Sequence, residues 1–190
     1  MSVRESVAAV IGALNDLSIP YMVVGSFSTN YYGIPRSTQD ADFVVQLASG
    51  DFARLCARLG TDFKPDPQMS FETITGTTRY RMLGPGSFAF EFFLPSDDAH
   101  DRIRFERRRK VVLQGCETWI PTAEDAIVTK LRWSQRGQRG KDLEDVRNMI
   151  AVQAERIDYS HVEYWCKEHG TLDLLQQVRA SVSPDLTESA

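Results

Sequence analysis

The sequence predicts an α/β fold of the mixed, α+β kind: strands and helices to about residue 121, then a helical C-terminal part over 122–190. Three observations carry that expectation. Short runs of strand composition alternate with stretches of helical periodicity over the first 120 residues. Gly84-Pro85-Gly86 and Gln114-Gly115 stand between pairs of such runs, as hairpin turns do. Past Pro121 only helical patterns recur, and no Gly/Ser linker divides the chain, so the helical part is expected to pack on a core formed by residues 1–121.

Each element has a local reason. Ser2 and Glu5 have capping-box spacing, and Val3, Val7, Val10, Ile11, Leu14 and Leu17 recur on one helical face before Pro20 stops it. Tyr21 to Val24 is a short apolar strand that ends at Gly25-Ser26, and Phe27 to Gly33 reads as a short helix. After the loop 34–39, Asp40 to Val45 has strand composition apart from its two acids. Ser49 is a cap candidate for a helix with Phe52, Leu55, Cys56 and Leu59 inward, and Pro65 and Pro67 break the stretch after it. Thr77–Leu83 and Ser87–Leu94 form one hairpin, and 111–113 with 118–120 a second; a charged helix over Asp97–Arg109 lies between them. Thr122 with Asp125 caps the next helix, which runs through Ala126, Ile127, Lys130, Leu131 and Trp133. A loop over Gly137–Gly140, a helix over Asp142–Val152, a Ser160/Glu163-capped helix to Gly170 and a helix over Leu172–Val182 complete the chain.

Composition excludes some functions. Apolar residues at 42% and charged ones at 25% are ordinary for a globular protein, and a net charge of −4 argues against a uniformly basic nucleic-acid coat. That charge is unevenly spread, with eleven Lys and Arg against four acids between Arg102 and Lys141. The run reads either as solvated, ion-paired helix or as a cationic wall suited to a triphosphate or a nucleic-acid acceptor. Cys56, Cys116 and Cys166 form no disulfide framework, and no stretch approaches the ~20 apolar residues of a membrane span, so a cytoplasmic protein with no membrane partner is expected. Cys166 and His169 lack a second ligand pair for zinc.

The acids at 40 and 42 stand out. Two apart on a strand, they point to one face with Cα atoms about 6–7 Å apart. They are either a merely solvated strand start or a site for a hard cation such as Mg²⁺. Gly25-Ser26 reads as a tight turn with Ser26 as an ordinary N-cap, or as a strand-to-helix turn whose backbone N–H groups approach phosphate. Glu91, amid Phe88, Phe90, Phe92 and Phe93, is either the solvent-facing acid of its strand or a carboxylate whose burial needs a partner. Arg36 has two readings, a phosphate contact or a brace that pairs the loop with an aspartate.

The order strand, Gly25-Ser26, helix, then Arg36-x-Thr38-x-Asp40-x-Asp42 on a strand resembles the nucleotidyltransferase superfamily that includes DNA polymerase β. Within it the motif is similar to that of the bacterial abortive-infection toxin type (AbiEii-like) and related minimal nucleotidyltransferases. Lys130-Leu131 and Lys141-Asp142 resemble that group's downstream signatures, and the resemblance covers about residues 20–150. It implies a mixed β-sheet flanked by helices and an enzyme that moves a nucleoside monophosphate from an NTP, such as ATP, to an acceptor hydroxyl, with pyrophosphate leaving. It further implies that Asp40, Asp42 and Glu91 hold Mg²⁺ or Mn²⁺, two ions in all. Gly25, Ser26, Arg36, Thr38, Lys130, Lys141 and Asp142 would bind the nucleotide, though Lys130 also reads as a solvated helix lysine and Lys141-Asp142 as helix-end electrostatics. The implied acceptor is a tRNA end, a protein side chain or a small molecule such as an antibiotic, and the group's members imply a toxin–antitoxin or defence setting with a cognate partner. Two positions depart from the family pattern: Ser26 replaces the commoner second glycine, and Glu91 stands where aspartate is frequent. The alternative is a non-catalytic nucleotide-binding or regulatory module of the same fold.

Overall fold

The computed structural model describes residues 1–73, 76–137 and 140–182. The expected loop positions 138 and 139 and the tail 183–190 lie outside the described residues. The chain divides into two compact units, Met1–Phe27 with Ser37–Pro121, and Ser28–Arg36 with the segment from Thr122 onward.

The first unit is built on a mixed sheet. Helix α1 (Val3–Asp16) opens it with the Ser2/Glu5 capping box in place. Strand β1 (Tyr21–Val24) leads into α2 (Gly25–Tyr32), which starts two residues earlier than its sequence suggests. Then come β2 (Asp40–Val45), α3 (Asp51–Leu59), the short β3 (Lys64–Pro65) and β4 (Ser70–Glu72), β5 (Thr77–Leu83) and β6 (Ala89–Phe93). The cap of α3 is Gly50, with no side-chain hydrogen bond, and not Ser49. The sheet order is β1-β2-β6-β5-β3 with β4 also on β5; β2 and β6 run parallel and the other neighbours antiparallel. Helix α4 (Ala99–Glu106), capped by Asp98, precedes a separate two-stranded sheet of β7 (Arg109–Leu113) and β8 (Cys116–Ile120). The Tyr21 hydroxyl and Thr118 Oγ1, 3.0 Å apart, tie β1 to β8.

Strand alternation gives this sheet two unlike faces. On one, Phe43 stacks on Phe92 at 5.4 Å, Phe52 of α3 meets Phe92 and Tyr80, and Phe63 packs on Phe90. On the other, Met22, Val24, Val44 and Phe93 are buried together with Phe105 of α4, and Trp119 packs against them. The same face carries Asp40, Asp42 and Glu91 farther along the strands. That face is therefore apolar and covered at one end and acidic and half-buried at the other.

The second unit is helical: α5 (Ala123–Gly137), α6 (Gly140–Gln153), α7 (Tyr159–His169) and α8 (Leu172–Ala180). The cap of α7 is Asp158, which accepts from the amides of Ser160 and His161, where the sequence pointed to Ser160 itself. The segment 28–36 belongs here because Gly33 lies against the α6 backbone, where an added Cβ would sit 3.1 Å from the Met149 amide nitrogen. Gln153 Nε2 also donates to the Tyr32 carbonyl at 2.6 Å. Among the described residues, no helix is long and apolar enough to cross a membrane.

Candidate functional site

In the first unit the geometry begins at the β1–α2 turn. Gly25 has φ +61°, a left-handed conformation that costs a side-chain-bearing residue about 1–2 kcal/mol. It also has no room for a side chain, because a Cβ there would lie 2.0 Å from Asp42 Oδ2. The register explains the approach: Val24, the residue before the turn, pairs with Asp42 across β1 and β2. The glycine is thus required twice, and Ser26 comes next, buried, in the first turn of α2.

Asp40 and Asp42 point to the same face of β2. Thr38 Oγ1 donates to Asp40 Oδ1 at 2.8 Å, which fixes that carboxylate from the preceding loop. Glu91 on β6 stands directly beside Asp42 in the parallel register, at the strand spacing of about 4.8 Å. The three carboxylates share a face, yet their oxygens do not all lie within 4.8 Å of one another.

Arginines on the neighbouring strand account for part of this. Arg81 of β5 is the register partner of Glu91, and Arg79 lies diagonally across, on the same face. Arg79 Nη1 bonds Glu91 Oε2 at 2.5 Å. Burial is the largest influence on Glu91 and pushes its carboxyl above the ordinary carboxylate value; Arg79 opposes the rise, Asp40 adds to it and Arg81 opposes it. Sequence reading missed Arg79 because a diagonal pair depends on strand register, which no local pattern reveals.

The second unit gathers the other sequence candidates into a buried charge network. Lys130 Nζ on α5 lies 2.8 Å from Asp142 Oδ1 and 2.9 Å from Asp145 Oδ2 on α6, with all three side chains at most 5% exposed. Arg36 completes it with a bidentate pair to Asp145, Nε to Oδ1 at 2.7 Å and Nη2 to Oδ2 at 2.9 Å. Of its two readings, Arg36 adopts the aspartate brace, and Asn30 locks its backbone from both sides. Burial alone would raise the Asp145 carboxyl, but the Arg36 hydrogen bonds and the Lys130 charge outweigh it and hold it below its ordinary range. Asp145 was not singled out from sequence; its spacing of three from Asp142, on the face that buries Val146 and Met149, was the available signal. Lys141 is exposed at the start of α6 and makes no part of the network.

The cationic run is spent mostly inside its own units. Arg104 pairs with Asp101 at 2.9 Å, Arg108 lies over Phe105 and Trp119, and Lys110 pairs with Glu117 at 2.7 Å. Arg102, Arg107, Arg109 and Lys110 are the exposed cations of the α4–β7 region.

No protein-family profile matches the sequence, and no curated protein matches it. Solved structures do match. One is the antibiotic-resistance factor ANT(2'')-Ia, with TM-score 0.59 at 9% identity over 92% of this chain and 96% of that one. The fold is the nucleotidyltransferase fold. The lincosamide antibiotic adenylyltransferase LnuA, in a lincomycin-bound structure, is similar at TM-score 0.54 and 9% identity over 78% and 96% of the two chains. An antigenic nucleotidyltransferase-like protein from Paracoccidioides brasiliensis is similar at TM-score 0.51 and 18% identity over 98% and 97%. At such identities the nucleotidyltransferase fold is what is shared, and the chemistry has to be argued from this chain's residues.

Proposed function

We propose that this chain is a metal-dependent nucleotidyltransferase that moves a nucleoside monophosphate from an NTP to a hydroxyl of a small-molecule acceptor. The observation that carries the reading is the contact of Asp42 with the bare backbone of Gly25, which joins the strand-to-helix turn to the carboxylate face. The donor set fits Mg²⁺ or Mn²⁺: it is carboxylate oxygen throughout, Asp40 and Asp42 are half-exposed on one face, and Glu91 adjoins Asp42 on it. Asp40 and Asp42 would hold the ion or ions, with Glu91 as the third carboxylate. When bound there, the metal supplies positive charge that stabilises the attacking and leaving oxygens of the transfer.

The chain's own residues do the rest. Gly25 lets the Asp42 carboxylate lie against the turn, and Ser26 is in the first turn of the helix whose N-terminus would favour the charge of the β- and γ-phosphates. Thr38 fixes the direction of Asp40. Glu91, with its carboxyl raised by burial, is the group we assign to take the proton of the acceptor hydroxyl as that oxygen bonds to the α-phosphorus and pyrophosphate departs. Lys130, Asp142 and Asp145 with Arg36 keep the helical unit in register; a triphosphate contact by Lys130 would require its ammonium to leave two carboxylates.

A small-molecule acceptor is supported by the names of two similar structures, ANT(2'')-Ia in complex with adenylyl-2''-tobramycin and LnuA with lincomycin. A toxin–antitoxin or defence setting with a cognate partner rests on the Arg36-x-Thr38-x-Asp40-x-Asp42 resemblance. A second reading, a non-catalytic nucleotide-binding module, is favoured by the engagement of Glu91 with Arg79 and of Lys130 with Asp142.

The test is label transfer from each α-labelled NTP with Mg²⁺ or Mn²⁺ to aminoglycosides, lincosamides, tRNA and protein acceptors. The expected result is transfer to a small hydroxyl compound, abolished in Asp40→Asn/Asp42→Asn. Binding of NTP without transfer to any acceptor establishes the second reading, and transfer that survives the double substitution overturns the site.

A further inference from the structure

We propose that Arg79 is a positioning residue for divalent-metal binding: it holds Glu91 in an ion pair, and Glu91 joins Asp40 and Asp42 only when that pair is exchanged for the metal. The inference rests on the reading that Asp40 and Asp42 hold a divalent ion.

Strand register sets up the competition. Glu91 has Asp42 beside it on β2 and Arg81 beside it on β5, so its carboxylate sits at the border between the acidic and basic halves of one face. Arg79, one strand repeat along β5, closes on the Oε2 side. Its guanidinium is itself held: Nε donates to Ser70 Oγ of β4 at 3.3 Å, and Cζ lies 5.8 Å from the Phe93 ring centroid. Arg79 and Glu91 are 27% and 15% exposed, so water screens the pair only in part.

A carboxylate oxygen committed to a guanidinium does not give the same lone pair to a metal, and a half-buried cation beside the acids disfavours a second cation there. The two effects act in one direction. Asp40 and Asp42 form the standing pair of ligands, and Glu91 is a third whose availability Arg79 controls. The extra methylene that distinguishes Glu91 from the aspartate frequent at this position is what lets it reach either partner.

The experiment is a Mn²⁺ titration of the nucleotide-free chain, read by the electron paramagnetic resonance signal of free Mn²⁺. Wild type is compared with Arg79→Gln, Arg79→Lys, Arg81→Gln, Glu91→Gln, the Arg79→Gln/Glu91→Gln double variant and Asp40→Asn/Asp42→Asn. Arg79→Gln is expected to bind Mn²⁺ about tenfold more tightly, a gain absent from the Glu91→Gln background. Arg79→Lys, which keeps the ion pair, stays close to wild type. An Arg79→Gln affinity equal to wild type overturns the proposal, as does a gain that persists without Glu91 or is matched by Arg81→Gln, since either is a through-space charge effect. If Asp40→Asn/Asp42→Asn binds Mn²⁺ as wild type does, the metal reading itself falls, a result distinct from failure of the Arg79 role alone.

Discussion

Replacing Lys130 with methionine keeps most of the apolar stem and deletes the ammonium that faces Asp142 and Asp145. All three side chains are at most 5% exposed, so the carboxylates left behind cannot simply rehydrate. Removing one partner of a buried pair costs about 3–5 kcal/mol. Arg36 still grips Asp145 through two hydrogen bonds, so the loss falls mainly on Asp142 and the lower half of that range is expected, about 3–4 kcal/mol. For a chain of this size each kcal/mol lowers the melting temperature by about 2–4 °C, which makes the expected fall roughly 6–16 °C. Urea unfolding monitored by circular dichroism and by the fluorescence of Trp133 and Trp165, both in the helical unit, measures it. Adding Asp142→Asn to Lys130→Met should recover part of the loss, giving a coupling above about 1 kcal/mol in the double-mutant cycle. A Lys130→Met cost below about 1 kcal/mol, or full additivity of the two substitutions, would refute the view that this network holds the unit together.

The two units should also answer acid with opposite signs. Asp145 has a folded value below its ordinary 3.8, so its contribution is present above that value and lost as pH falls through the folded one; Asp145→Asn should remove this acid-side limb from the stability-against-pH curve. Glu91 is raised above its ordinary 4.5, so its contribution is complete below 4.5 and is lost as pH rises through the folded value; Glu91→Gln should flatten that slope in denaturant titrations. Gly25→Ala forces a Cβ onto Asp42 from a left-handed backbone and should cost at least about 1–2 kcal/mol in urea unfolding while sharply lowering nucleotidyl transfer. Phe105→Ala opens the apolar end of the carboxylate face beneath Arg108 and Trp119 and should destabilise by about 3–5 kcal/mol in the same assay.

The range of the forces involved decides how much of this architecture is legible in the sequence. The capping box at Ser2 and Glu5, the strands at 21–24 and 40–45 and the first hairpin are local patterns, and they stand. The common face of Asp40 and Asp42 comes from the pleat alone. Strands β3 and β4, two and three residues long, have no periodicity to detect, and Pro65 and Pro67 argued against them; each exists only because β5 offers an edge. Pairings of Glu91 with Arg79 and of Arg36 with Asp145 join residues 12 and 109 positions apart, so they depend on register and packing. Ser28–Arg36 belongs to the helical unit for a similar reason, because Gly33 reads as a loop residue until the α6 backbone lies against it.

The outer edge of β5 is covered in two pieces. The β3 segment pairs with Met82 and Leu83, Asp66 donates its amide to the Arg81 carbonyl at 2.8 Å, and β4 resumes at Arg79. Residues 67–69 therefore swell outward opposite Tyr80, with Pro65 and Pro67 at the near end, the exposed Met69 at the far end and the exposed Phe71 on β4 beyond it. A continuous edge bearing the exposed Phe71 would template pairing with another chain, and an edge broken by prolines and an extra loop cannot. Straightening it, by deleting Gln68 and Met69 so that Ser70 keeps its place opposite Arg79, and by replacing Pro65 and Pro67, should make the protein aggregate during concentration while leaving the carboxylate face untouched.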